Sequence, residues 1–365
     1  MRNLFTVLLL LMVFSGHGQE QFNPVRPQTW KTNRTKHTVP LNEIKIIVGK
    51  DQIPPIYNPK FWSVDQASKT YFPHEPVIAL EINGKVRAYP LSVLMYHEIV
   101  NDEVGGVPII ATYCPLCNAA IVFDRRVESE TLTFGVSGML RNSDMVMWDH
   151  ETESWWQQIT GEGIVGKYAG SELSILPSLL ISFKQFKENF PFGFVLSTET
   201  GTFRNYGTNP YVNYDSSHPF LFKGTTDKRL PALERVINVN AKGEDIVYPQ
   251  SLIARKKVIN DQPNGVPLVI FFQKGVKSAM DQSEINESRD VGAVTVFSSK
   301  LNGQQLTFGN SKGSFIDRET KSTWTIAGKC FDGPMLGQQL QAVVHGNHFA
   351  FAWLAAKPES RIYNP

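Results

Sequence analysis

The sequence predicts a mainly β fold with short helices, a β-rich α+β chain in which two tandem pseudo-repeats form one compact body. Three observations carry this reading. Apolar runs of strand length recur along the chain. Asn83-Gly84 separates two of them, the strongest short-range signal for a hairpin. Short blocks also return in the same order at a fixed distance. Tyr89-Pro90-Leu91-Ser92, Asn101-Asp102 and Gly106-Val107-Pro108 recur as Tyr248-Pro249-Gln250-Ser251, Asn260-Asp261 and Gly265-Val266-Pro267, each 159 positions later. Leu132-Thr133-Phe134-Gly135 matches Leu306-Thr307-Phe308-Gly309. Asp149, Thr152, Ser154 and Trp156 match Asp317, Thr320, Ser322 and Trp324, here 168 positions apart. Ordered recurrence of this kind predicts a duplication.

Taken from the N-terminus, residues 1–18 read as a secretory signal peptide. Arg2 precedes the apolar run Leu4 to Phe14, and Ser15-Gly16-His17-Gly18 supplies small residues for cleavage after Gly18. The run is shorter than the roughly 20 residues of a spanning helix, and no cysteine stands at the exit for a lipid anchor. The expectation is an exported protein, periplasmic or secreted, with no membrane span in the mature chain. Residues 19–60 are polar and Pro-bearing and predict an arm around the first unit. Residues 61–200 form the first repeat unit, with strands over Val77 to Glu81, Lys85 to Ala88, Val107 to Tyr113 and Ala119 to Phe123. Helices are predicted at Leu91 to Glu98 and Ser182 to Asn189. Residues 201–232 connect the units; the bridge Thr200 to Asp215 is rich in Gly, Asn, Tyr and Thr and predicts turns. Residues 233–365 form a second, degenerate unit with strands at Val266 to Phe272 and Val291 to Phe297 and a helix at Ala350 to Lys357.

Composition narrows the function. With 365 residues, 42% of them hydrophobic, the chain has material for about two packed domains. Its 36 basic and 34 acidic residues leave a net charge of +2, which gives no electrostatic case for nucleic acid. No Ser/His/Asp elbow, phosphate-cradling Gly loop or nucleotide fingerprint is present, and Gly161-Glu162-Gly163 is too short to count as one. Three cysteines make a poor disulfide framework.

The two copies act as an internal control, because shared residues need only explain a common fold. At the constant offset His97 faces Lys256, Cys114 faces Gln273 and Cys117 faces Val276. Gly135 to Asp149 spans 14 positions, whereas Gly309 to Asp317 spans 8. The missing piece falls within Ser137 to Asp144. The second copy thus lacks the Cys/His set and much of a polar loop together, which predicts a single site. Cys114-Pro115-Leu116-Cys117-Asn118 lies between two strands. Pro115 presets a turn and Asn118 tolerates the left-handed conformation that ends such a knuckle. With His97 as third ligand, Cys114 and Cys117 suit zinc or copper and leave one position open. Arg141, Asn142, Ser143 and Asp144 offer a charge and hydrogen-bonding groups for a polar or anionic ligand, an unidentified small molecule or protein partner. Two alternatives stay open: a redox-active dithiol acting by thiol–disulfide exchange, and a non-catalytic scaffold in which the cysteines staple a turn. Asp149, Ser154 and Trp156 read as structural, and Gln158 is unassigned. Cys330 reads as a small core residue. His345 and His348 form a second possible ligand group inside an aromatic-rich segment that looks like core.

Several runs resemble the bacterial and archaeal family catalogued as domain of unknown function 3179. They are Ala88-Tyr89-Pro90, His97-Glu98-Ile99-Val100-Asn101-Asp102, Thr112-Tyr113-Cys114-Pro115-Leu116-Cys117 and Ser137-Gly138-Met139-Leu140-Arg141-Asn142-Ser143-Asp144. Thr152-Glu153-Ser154, Trp156-Gln157-Gln158, Gly161-Glu162 and Phe351-Ala352-Trp353 agree as well. The resemblance covers roughly residues 50 to 363 and implies an exported protein; it supplies no activity. Asn118 departs from the family pattern, where a small residue such as Gly is frequent.

Overall fold

The computed structural model describes residues 29–311 and 313–364. The signal-peptide reading of residues 1–18 and the first part of the arm lie outside the described residues. The described residues are β-rich and include five short α-helices: α1 (Val64–Ala67), α2 (Leu91–His97), α3 (Phe183–Asn189), α4 (Gln250–Lys256) and α5 (Ala350–Ala356). Strands of the first half are β1 (Ile44–Ile46), β2 (Phe61–Ser63), β3 (Pro76–Ile82), β4 (Lys85–Pro90), β5 (Ile99–Val104), β6 (Val107–Cys114), β7 (Ala119–Asp124), β8 (Arg126–Val127), β9 (Glu130–Thr131), β10 (Phe134–Arg141), β11 (Asp144–Asp149), β12 (Trp155–Gln157), β13 (Glu162–Val165), β14 (Ile175–Leu176), β15 (Leu179–Ser182) and β16 (Phe194–Leu196). The second half contributes β17 (Arg235–Ala241), β18 (Glu244–Pro249), β19 (Val258–Asp261), β20 (Leu268–Gln273), β21 (Ala293–Ser298), β22 (Lys300–Leu301), β23 (Gln304–Gln305), β24 (Phe308–Ser311), β25 (Ser314–Asp317), β26 (Thr323–Trp324), β27 (Cys330–Asp332), β28 (His345–Phe349) and β29 (Arg361–Ile362).

The hairpin β3–β4 forms where Asn83 and Gly84 both take positive φ, 49° and 72°, the primed turn that matches strand twist. Lys242 and Gly243 do the same between β17 and β18. β3 lies inside an eight-stranded sheet of order β19-β20-β21-β15-β3-β4-β16-β2, so Val77, Ile78, Ala79 and Leu80 are buried in a continuous run rather than alternately. That sheet mixes the halves: β15 pairs with β21 through Leu180 and Val294. Conversely β28, in the sheet β28-β17-β18-β29, lies alongside β7 of the first half.

Residues shared by the two halves make the same local bonds. Tyr89 donates to Asp102 at 2.7 Å and Tyr248 donates to Asp261 at 2.8 Å. Asn101 exchanges two hydrogen bonds with the Phe134 backbone, and Asn260 does so with that of Phe308. The indole of Trp156 donates to Asp149, and that of Trp324 to Asp317, both at 2.9 Å. These positions carry scaffold and need no further function.

Two expectations are corrected. Residues 137–144 form no loop: β10 and β11 pair as a hairpin closed by Asn142-Ser143, with a bulge between Val136 and Met139. Gly138 sits in that bulge at φ +74°, where a Cβ would stand 2.3 Å from the Val48 carbonyl, so the arm threads against bare backbone. The matching hairpin β24–β25 is shorter. The helix predicted to Glu98 ends at His97, because Glu98 leaves the helix with φ 56°.

One buried carboxyl beside β3 sets a pH prediction. Glu75 accepts a hydrogen bond from Ser92 Oγ, and burial raises its pKa to about 7. The folded value lies above the unfolded one, so Glu75 favours the fold while protonated and loses that contribution as pH rises from about 4.5 to 7. Glu75→Gln is expected to gain up to about 3 kcal/mol on wild type between pH 5 and pH 8, read from urea midpoints. An unchanged difference at the two pH values contradicts this.

Candidate metal centre

Cys114 is the last residue of β6 and still pairs with Ala119 of β7. A single 3-10 turn follows over Pro115–Cys117, with Pro115 at its start, and Asn118 closes it in the left-handed region at φ 50°. β7 then begins at Ala119. This is the strand-to-strand knuckle expected from the spacing. Both cysteines are free and buried. Gln158 braces the far side, donating to Thr112 Oγ1 at 2.8 Å and to the Ala119 carbonyl at 3.2 Å.

The β10–β11 hairpin brings the third group. Asn142 and Ser143 are the two turn residues, with φ 53° and 66°, and register pairs Arg141 with Asp144. The extra length of this hairpin over its counterpart places the turn above the knuckle. Cys117 Sγ donates to the Ser143 carbonyl at 3.4 Å, and Cys114 Sγ lies 3.9 Å from the same oxygen. The ligand atoms of Cys114, Cys117 and Asp144 all lie within 4.8 Å of one another. Tetrahedral zinc with Zn–S bonds of about 2.3 Å holds two sulfurs roughly 3.8 Å apart, so this spacing suits one ion. Among the described residues no other set of three such ligands converges.

The electrostatics are those of a site short of positive charge. Burial raises both thiols, Cys117 well above its usual value. Burial likewise lifts Asp144 to about 6, opposed by hydrogen bonds from Gln157 and from the Ile159 amide. Glu98 is buried beside them and rises to about 8, through burial and then the Asp144 charge. Such a cluster is stable as neutral acids or around a cation. Asp144 also has the posture of a ligand. Its Oδ2 accepts from Gln157 Nε2 and from Ile159 N, the latter at 3.0 Å, while its buried Oδ1 has no hydrogen-bond partner. One oxygen held and the other free is how outer partners orient a metal-bound carboxylate.

The remaining expected residues are placed differently. His97 does not join the thiols. Its Nδ1 is 2.6 Å from the Pro54 carbonyl, an acceptor only, so Nδ1 bears the proton and Nε2 accepts from the Tyr206 hydroxyl at 2.6 Å. No lone pair is left for an ion, and burial lowers the imidazole pKa. His97 therefore secures the arm and the connecting segment. Arg141 is not free for an anionic ligand: it pairs with Glu43 at 2.8 Å and donates to Gln157, which in turn holds Asp144. Ser143 contributes its carbonyl, and its buried Oγ is unpartnered. Asn142 serves the turn. Cys330 is buried and donates to the Asp332 carbonyl. His345 hydrogen-bonds the Val343 carbonyl, and His348 bonds Asn238 and stacks on Trp353 at 5.1 Å. These three form no ligand set.

Glu98 is the residue that sequence comparison passed over. Its counterpart at the common offset is Lys257, which shares the unusual backbone conformation at φ 66°. The unusual backbone conformation is thus common to both halves, whereas the buried carboxyl is found in the first alone. The knuckle is covered by the connecting segment, where Tyr214 donates to the Leu116 carbonyl at 3.0 Å, and by the second half, where α5 packs on the turn.

The chain belongs to the family described as protein of unknown function DUF3179, whose model matches residues 50–360. No curated protein and no solved structure matches the chain. No described helix is long and apolar enough to cross a membrane.

Proposed function

We propose that this is a metal-binding protein whose ion is held by Cys114, Cys117 and Asp144, with zinc the first candidate and copper the second. The observation that supports it most is the convergence of two thiols and one carboxylate in a buried space. Two sulfurs and one oxygen suit a borderline-soft cation better than calcium or magnesium. The reading is favoured over a thiol–disulfide enzyme because reactive thiols need a depressed pKa, whereas burial raises both of these. The loss of Cys114, Cys117 and the hairpin tip together from the second half fits one centre kept by one copy of a duplicated unit. Chelator-stripped protein incubated with Zn2+ and dialysed is expected to retain one ion per chain. The double variant Cys114→Ser, Cys117→Ser is expected to retain none. No retained ion, or equal retention by the variant, overturns the proposal.

The leader motivates a second part of the proposal, that the protein works outside the cytoplasm. Full-length chain expressed in a bacterium should be recovered from the periplasm or medium beginning at Gln19. A cytoplasmic product that keeps Met1 contradicts export.

A further inference from the structure

We propose that the backbone carbonyl of Ser143 is the fourth ligand, which closes the centre to solvent. The inference rests on the metal reading above and goes on to fix the kind of site. The Ser143 oxygen stands 3.4 Å from Cys117 Sγ and 3.9 Å from Cys114 Sγ, facing both sulfurs. With bonds of about 2.3 Å to sulfur and 2.0–2.2 Å to oxygen, tetrahedral sulfur and oxygen ligands lie roughly 3.5 Å apart. The carbonyl already has ligand spacing to both thiols.

The two-residue turn is the device that aims the oxygen, since Asn142 and Ser143 both adopt left-handed backbone. Asp144, the next residue, supplies the third ligand from the same hairpin tip. One short segment therefore gives two oxygens and one knuckle gives two sulfurs. A set of four protein donors leaves no position for water or substrate, which is the mark of a structural or electron-carrying ion rather than a Lewis-acid catalyst.

Co2+ loaded into the stripped full-length chain tests this. The expected result has two parts. A sulfur-to-cobalt charge-transfer band appears with visible bands of four-coordinate cobalt, and neither saturating azide nor 17O-enriched water changes the optical or paramagnetic spectrum. If the charge-transfer band is present but azide shifts the visible bands, or 17O broadens the resonance, a solvent position exists and the closure is wrong while the ligand pair stands. If no charge-transfer band forms, the metal reading and the closure both fall.

Discussion

Asp144→Ala is expected to lower the affinity for Zn2+ by roughly 100-fold or more, since even outer partners of a metal ligand are worth about 10–100-fold. His97→Ala should leave the affinity unchanged. The contrast follows from where the two side chains spend their lone pairs. Asp144 brings a carboxylate oxygen within 4.8 Å of both sulfurs, and its buried Oδ1 accepts from no N–H or O–H donor. The acceptor nitrogen of His97 is already filled by Tyr206. Competition against a chromogenic chelator measures both. Asp144→Ala also strips Gln157 Nε2 and the Ile159 amide of their acceptor, so the metal-free variant is expected to be less stable than wild type, and the affinities are compared on protein that tryptophan fluorescence shows to be folded. Equal affinities for wild type and Asp144→Ala, or a large loss in His97→Ala, would reverse the ligand assignment.

The other large effect lies in the scaffold. Asp149→Ala and Asp317→Ala are each expected to lower stability by about 3 kcal/mol, the range for leaving buried donors without their acceptor. Asp149 accepts from the Thr152 amide at 2.6 Å, from Thr152 Oγ1 at 2.8 Å and from the Trp156 indole at 2.9 Å. Asp317 repeats the set with Thr320 and Trp324 at 2.6, 2.8 and 2.9 Å. Both aspartates are buried. Urea unfolding followed by tryptophan fluorescence compares them. Asp317→Ala should also retain its metal, because its half lacks the ligands. A near-neutral Asp149→Ala would show that this residue belongs to the site and not to the fold.

Much of this was legible before any coordinates. Asn83-Gly84 announced its hairpin because few residues accept two consecutive positive φ angles. The knuckle could be read because Pro115 and Asn118 constrain four consecutive residues. The comparison of the two halves singles out Cys114, Cys117 and the segment Ser137 to Asp144, which the second half lacks. Their roles were harder to see. The sequence places Asp144 in a polar loop, because the strand register that brings it to the sulfurs depends on the bulge between Val136 and Met139. It offers His97 as a ligand because residue type carries no direction. The chain turns at Glu98, so neighbours separate, the imidazole to Pro54 and the carboxyl into the charge cluster. Arg141 looks free in the sequence because its partner Glu43 lies in the arm, far away along the chain. The mingling of halves through β15 and β21 had no local signal either, since strand pairing at that distance leaves no trace in composition.

The account stands or falls on whether the knuckle and the hairpin tip share an ion, and X-ray absorption at the zinc edge of the loaded protein reads this directly. Two sulfur scatterers at about 2.3 Å with oxygen neighbours at about 2.0–2.2 Å are predicted. A first shell without sulfur, or one requiring an imidazole ring, would contradict it.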